Sequence, residues 1–183
     1  IAPSLILQPT RRGGAVLVNS KDSSLVNVTI QNAHVLDGYG GAICWKGERG
    51  TLNNVTIFNS SSTLLNDASA YFNYEKSANG GAIYLSGSNC NLNVISIFMS
   101  STNNNNESSK RFNNGGAVYV SGSSATITNI EIDESSALSD RMDANGGAIY
   151  WSGNSGTLVN ATISNTLANG QGGAIYWKGS SLA

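Results

Sequence analysis

Apolar residues recur along this chain in a fixed relation to a Gly-Gly-Ala-Ile/Val block, which occurs six times, beginning at Gly13, Gly40, Gly80, Gly115, Gly146 and Gly172. Counted from the first glycine, five blocks align without a gap over 21 positions. Position 4 holds Val16, Ile43, Ile83, Val118, Ile149 and Ile175, and position 13 holds Leu25, Leu52, Leu92, Ile127 and Leu158. Position 16 holds Val28, Val55, Ile95, Ile130 and Ala161, and position 18 is isoleucine throughout: Ile30, Ile57, Ile97, Ile132 and Ile163. Apolar 16 and 18 alternate with the mostly polar 17 and 19, the period of a strand that buries one face. Each block therefore predicts a strand (Ala-Ile-Tyr-Trp), a Ser-Gly turn, a second strand (Leu-x-Asn-Val-Thr-Ile) and a corner. A single repeat cannot bury such faces, but stacked repeats place Ile over Ile and pair every strand in parallel with its copies.

The expected fold is all-β: one domain spanning 1–183, a right-handed parallel β-helix of about six coils with loops inserted at one corner, as a segment of a longer repeat protein. At roughly 4.8 Å per coil such a prism is about 29 Å long. Block starts lie 26 to 40 residues apart, and the surplus falls between position 21 and the next glycine pair. The glycine pair suits a corner with positive φ, which glycine adopts without steric penalty. Asn79, Asn114 and Asn145 precede three of the pairs, as in left-handed or Asx-type turns. Position 5 reads Leu17, Cys44, Tyr84, Tyr119, Tyr150 and Tyr176, and position 6 reads Val18, Trp45, Leu85, Val120, Trp151 and Trp177. With position 4 inward, position 6 is inward too and the tyrosines point out. An outward tyrosine row can stack on sugar rings or on another protein, or it can shield the sheet by cross-strand stacking, which folding alone requires.

Composition narrows the class. Only 11% of residues are charged, and 10 basic against 11 acidic residues leave no field to recruit nucleic acid or anionic lipid. Helix formers are scarce, which excludes a helical bundle. No apolar run reaches the roughly 18 residues of a membrane helix, so no membrane insertion is expected within this segment. Ile1-Ala2-Pro3-Ser4-Leu5-Ile6-Leu7 lacks the basic start of a signal peptide, so a signal was removed or the chain is an internal fragment. Cys44 and Cys90 fall at different repeat positions and are expected as small packed side chains rather than a bridge.

Candidate chemistry is thin. Polysaccharide lyases and hydrolases also use parallel β-helices, but need paired carboxylates or a metal with a basic residue. The acidic cluster on a strand is Glu131, Asp133 and Glu134; Glu131 and Asp133 flank inward Ile132, and the repeat sets Ser96 and Thr162 beside Glu131. That reads as a solvated strand. Asp140-Arg141-Met142-Asp143 sits in an inserted loop, where its charges are expected to pair with one another or with water. His34 is the single histidine, which argues against His-based metal sites and Ser-His triads. No catalytic residue, metal or cofactor is expected.

Five Asn-x-Ser/Thr sequons stand at Asn27, Asn54, Asn59, Asn106 and Asn160, as glycosylation acceptors. Asn27, Asn54 and Asn160 share repeat position 15, where asparagine also suits the backbone of a bend. The insertions are the stronger lead. After position 21 the blocks add 6, 19, 14, 10 and 5 residues, all from one corner. The long ones carry Tyr71, Phe72, Tyr74 and Lys76, then Lys110, Arg111 and Phe112, then Arg141 and Met142. Loops on a rigid scaffold often carry recognition, with aromatic and arginine anchors, so Tyr71, Phe72, Tyr74, Lys110, Arg111, Phe112 and Arg141 are the candidate ligand-binding residues.

The run Gly146 to Asn165, GGAIYW-SGNSGTLVNATISN, resembles the repeats of adhesin-like surface proteins of methanogenic archaea. It is less similar to the repeats of bacterial polymorphic outer-membrane autotransporters. The autotransporter Phe-x-x-Asn motif is not met, since isoleucine takes the expected place and Phe58 is followed at once by Asn59. The resemblance covers nearly the whole chain from Gly13 and implies a secreted, cell-anchored β-helical rod that presents loops to a glycan or protein of a host or cell surface. Two other readings stay open: a structural subunit of an extracellular fibre or sheath, and a carbohydrate-active enzyme. The fibre reading rests on phase. Ala183 is position 12 of the sixth block, and Leu5-Ile6-Leu7 could supply the strand missing there by head-to-tail self-association.

Overall fold

Every block contributes the same short apolar triplet, and these triplets form one sheet. In the computed structural model, which describes residues 13–64, 77–104, 113–139 and 143–180, the regular elements are strands numbered in chain order. Strands β1 (Val16–Val18), β4 (Ile43–Trp45), β7 (Ile83–Leu85), β10 (Val118–Val120), β12 (Ile149–Trp151) and β14 (Ile175–Trp177) pair in that order. The long strands β2 (Ser24–Gln31), β5 (Thr51–Leu64), β8 (Asn91–Asn104), β11 (Thr126–Ser139) and β13 (Thr157–Ala168) form a second sheet, with β3 (His34–Leu36) also on β5. Strands β6 (Ala78–Asn79) and β9 (Asn113–Asn114) pair separately. The chain is all-β with parallel strands in stacked sheets, consistent with a parallel β-helix or solenoid.

The register reproduces the sequence alignment residue for residue. Ile30 pairs with Ile57, Ile57 with Ile97, Ile97 with Ile132, and Ile132 with Ile163. Ile57, Ile97 and Ile132 are buried and lie in one core with Leu52, Leu92, Ile127 and the buried indoles Trp45 and Trp151. Position 6 is inward, as expected. The core also couples two repeat positions. A Cβ on Gly50 would stand 2.2 Å from Trp45 Nε1, and one on Gly156 would stand 2.4 Å from the Trp151 ring. Where position 6 is Leu85 or Val120 instead, position 11 is Cys90 or Ala125. Cys44 and Cys90 occupy separate buried positions.

One expectation needs correction. The second strand was expected to stop at position 18, but β5, β8 and β11 run on to Leu64, Asn104 and Ser139. They bend without ending because residues five positions apart adopt a left-handed conformation, such as Asn54 (φ 54) and Asn59 (φ 49) in β5. Each such residue puts two outward side chains in succession and restarts the alternation. One strand thereby lines the interior on successive faces with Leu52, then Val55 and Ile57, then Ser60 and Ser62. The last face escaped notice because its inward residues are small and polar: Ser60, Ser62, Ser100, Thr102 and Ser135 are buried. Ser62 Oγ donates to the Gly38 carbonyl at 2.6 Å and Ser135 Oγ to the Gly147 carbonyl at 2.9 Å.

The first glycine of each pair has the positive φ expected of its corner, between 65 and 69°, and asparagine holds eight of the sixteen other left-handed positions among the described residues. Its short amide tolerates the left-handed region better than other side chains with a Cβ. The second glycine is required by close approach: Gly41, Gly81, Gly116 and Gly147 press against backbone of the long strand across the interior.

Candidate functional site

The tyrosine row is outward and forms a continuous stack. Ring centroids are 5.1 Å apart for Tyr84 and Tyr119, 5.0 Å for Tyr119 and Tyr150, and 5.2 Å for Tyr150 and Tyr176. The first two pairs are within 3° of parallel. Where the ladder position is the buried Cys44, Tyr39 from the preceding corner supplies the ring, 4.7 Å from Tyr84. The register of the strands dictates this spacing, since copies one repeat apart sit roughly 4.8 Å apart. Each inner ring has both faces occupied by neighbouring rings, so edges and hydroxyls meet solvent. Burial, then the neighbouring Tyr119, pushes the Tyr84 hydroxyl up to about 12, against a hydrogen bond with Ser121 that pulls the other way. Burial raises Tyr119 and Tyr150 as well. The ladder thus resembles a shield more than a sugar platform.

The acidic strand has the surroundings that the repeat implied. Glu131 pairs in register with Ser96 and Thr162, and Asp133 with Phe98 and Ser164. Asp133 accepts hydrogen bonds at 2.8 Å from both Ser164 Oγ and Asn165 Nδ2, which hold its carboxyl below the usual range. Neither register neighbour of Glu131 or Asp133 is a second carboxylate, so the strand offers no acid/base pair across repeats. Asp143 accepts a hydrogen bond from Ser139 Oγ at 2.7 Å. Its expected loop partners, residues 140–142, lie outside the described residues. His34 Nδ1 is 2.8 Å from Ser61 Oγ. Among the described residues no group of three or more His, Cys, Asp or Glu could hold a metal ion. No described helix is long and apolar enough to cross a membrane.

Four of the five sequons belong to amide ladders. Asn54 Nδ2 donates to Asn27 Oδ1 at 2.9 Å, Asn59 Nδ2 to Asn32 Oδ1 at 2.7 Å, and Asn160 Nδ2 to Asn129 Oδ1 at 3.1 Å. Asn27, Asn54, Asn59 and Asn160 all have positive φ. The left-handed bend suits asparagine at these positions, and a glycan on Asn54, Asn59 or Asn160 would replace one of the two hydrogens on the amide nitrogen that donates in the ladder. Asn106 lies outside the described residues.

So do the candidate binding residues Tyr71, Phe72, Tyr74, Lys110, Arg111, Phe112 and Arg141, together with Lys76 and Met142. What the structure does place is where their loops leave and return. The departure residues Leu64, Asn104 and Ser139 are in register on adjacent strands. The return residues Ala78 and Asn113 are in register as well. An asparagine ladder fixes the return edge: Asn79 Oδ1 accepts from Asn114 N at 3.1 Å, Asn114 Oδ1 from Asn145 N at 3.2 Å, and Asn145 Oδ1 from Gln171 N at 2.8 Å.

One surface went unremarked in the sequence reading. In the third block the corner positions 15 and 20 are Val94 and Met99, 44% and 49% exposed, both with left-handed backbone (φ 53 and 54). Between them Phe98 points outward and stacks on Phe58 of the block before, with centroids 5.1 Å apart. The available signal was the departure from asparagine at two aligned positions of a single block.

Compared with protein-family models, with curated proteins and with solved structures, the chain matches none of them.

Proposed function

We propose that this chain is a right-handed parallel β-helix of about six coils that serves as an adhesin-like, non-catalytic rod at the cell surface. Its inserted loops would bind a glycan or protein of a host or neighbouring cell. The observation that supports this most directly is the alignment of the loop roots. Leu64, Asn104 and Ser139 on the departing side and Ala78 and Asn113 on the returning side align along one edge. A repeat that needed only to fold has no reason to stack its longest insertions in one column. Stacking them makes a composite surface from loops that are separate in sequence. The low charge and polar amide-rich exterior suit an extracellular rod, and the resemblance to archaeal adhesin-like repeats points the same way.

The test compares the full chain with a variant in which residues 66–76 are replaced by a short Gly-Ser link. The link must stop before the buried Ala78, whose strand pairs with β9. Loop closure changes little with such a shortening, so circular dichroism and melting temperature should be preserved. Binding to arrays of cell-surface glycans and to intact cells should fall. Undiminished binding by the folded variant would refute the assignment to the loops.

A further inference from the structure

Repeats provide internal controls, since each position is sampled several times in the same surroundings. Position 15 is Asn27, Asn54, Asn129 and Asn160 in four blocks and Val94 in the third. Position 20 is Asn32, Asn59 and Asn165 in three blocks, Glu134 in the fourth and Met99 in the third. All ten have left-handed backbone. Valine is among the poorest residues for that conformation, because its branched Cβ meets the carbonyl oxygen, and asparagine is among the best. The third block also interrupts the amide ladder: Asn129 Nδ2 turns instead to Asn93 Oδ1, at 2.9 Å. Both substituted side chains face solvent, so packing does not explain them.

Val94 and Met99 lie at the two ends of an outward segment that also carries Ser96 and Phe98. Phe58 lies beneath Phe98, and Asp133 lies above it in register. Above Met99 and Ser96, one repeat on, stand the exposed carboxylates Glu134 and Glu131. Among the described residues no lysine or arginine pairs with either. The described cations Lys21, Lys46, Arg49 and Lys178 belong to the turns after the short strands. An apolar strip at strained backbone therefore borders an acidic strip that no cation among the described residues pairs with, roughly 4.8 Å away along the stack.

We propose that the face formed by Val94, Phe98, Met99 and Phe58, bordered by Glu131 and Glu134, is a docking surface for a protein segment that sets a basic side chain beside an apolar one. The apolar contacts supply affinity, and the carboxylates select charge and register. The choice of a basic protein segment over a second copy follows from charge. A symmetric contact with another copy would bring the acidic strips of both chains to one interface, whereas a lysine-bearing strand satisfies them. This site is separate from the inserted loops and stands whether or not those loops bind.

The probe is a synthetic peptide of alternating leucine and lysine, titrated calorimetrically into the full chain. The control replaces each lysine by glutamate. The lysine peptide should bind and the glutamate peptide should not. Met99→Asn and Val94→Asn should each raise the melting temperature, by removing strain and restoring ladder amides, and yet weaken the peptide at least about tenfold. A merely structural role would not move stability and binding in opposite directions. Glu131→Gln with Glu134→Gln should weaken binding about threefold and flatten its salt dependence. Four results would overturn the proposal: no binding of the lysine peptide, equal binding of the glutamate peptide, unchanged binding in Met99→Asn, or a dimer of the chain that the same variants dissolve. The last would assign the face to a second copy.

Discussion

Gly116→Ala isolates the force that shapes the cross-section, and Gly173→Ala is its control. Neither glycine has a positive φ, so backbone preference does not oppose alanine at either site. The surroundings do the deciding. A Cβ on Gly116 would lie 2.1 Å from the Gly147 carbonyl oxygen, and 2.5 and 2.6 Å from the carbonyl carbon and oxygen of Ser136. All three atoms are backbone, one from the next repeat and two from the strand across the interior, so no rotamer relieves the overlap. The neighbours must retreat by about an ångström to reach ordinary contact. That would stretch the Gly116 N to Gly146 O hydrogen bond, now 3.0 Å. Overpacking of this kind costs about 1–3 kcal/mol, and one weakened backbone hydrogen bond adds about 1 kcal/mol. Gly116→Ala should therefore lose roughly 2–4 kcal/mol, a large share of a typical domain's 5–15 kcal/mol. A Cβ on Gly173 meets nothing within 4 Å. Gly173→Ala should be neutral or stabilise by about 0.4–1 kcal/mol through the unfolded chain. Urea unfolding followed by fluorescence of the buried Trp45 and Trp151 measures both. Equal midpoints for the two variants would refute the close-approach argument.

Three further outcomes follow from the same geometry. Ile97→Asp would bury a carboxylate between Ile57 and Ile132 with no partner, costing several kcal/mol; a variant that melts like the parent would show the ladder misassigned. Gly50→Ala should destabilise through the Trp45 ring, and Trp45→Leu should rescue it, since Leu85 and Cys90 already coexist in the third block; additive melting shifts in the double variant would deny the coupling. Tyr84, raised from 10.0 to about 12, keeps its proton in the folded state over a window where the unfolded chain has lost it. Its contribution to stability is fully present below pH 10 and is lost as pH rises towards 12, so Tyr84→Phe should flatten the alkaline decline of the melting temperature.

The parts of this fold that were legible are those where an apolar side chain marks an inward position. Ile97 and its copies carried the register, and Trp151 with Tyr150 carried the facing of the short strands. The continuation past position 18 was illegible because Ser60, Ser100 and Ser135 are as polar as the outward residues around them. A period of two cannot be detected when both phases have the same polarity. The five-residue bends were half legible: asparagine at position 15 was noticed as a bend residue. Arg49, Val94 and Glu134 in the same conformation give no local sign, because their neighbours across the repeats impose it.

The binding surfaces stand differently. The loops were legible only as departures from repeat length, and length says where a surface projects but not what it recognises. The third block's departure at positions 15 and 20 is of another kind, since it leaves the spacing of the aligned positions intact and changes their chemistry. Position 8 shows how such departures are to be judged. It is glycine in every block but the first, where it is Ser20. A Cβ on Gly47 would stand 1.8 Å from the Ser20 carbonyl oxygen, and each later glycine repeats that clash with the block before it. Stacking on the block before thus accounts for glycine at Gly47, Gly87, Gly122, Gly153 and Gly179. Val94 and Met99 have neighbours on both sides, exposed side chains and a backbone that disfavours them, and no geometric cause of that kind accounts for them. An exception that stacking explains concerns folding, and one that works against the backbone while facing solvent is where function should be sought.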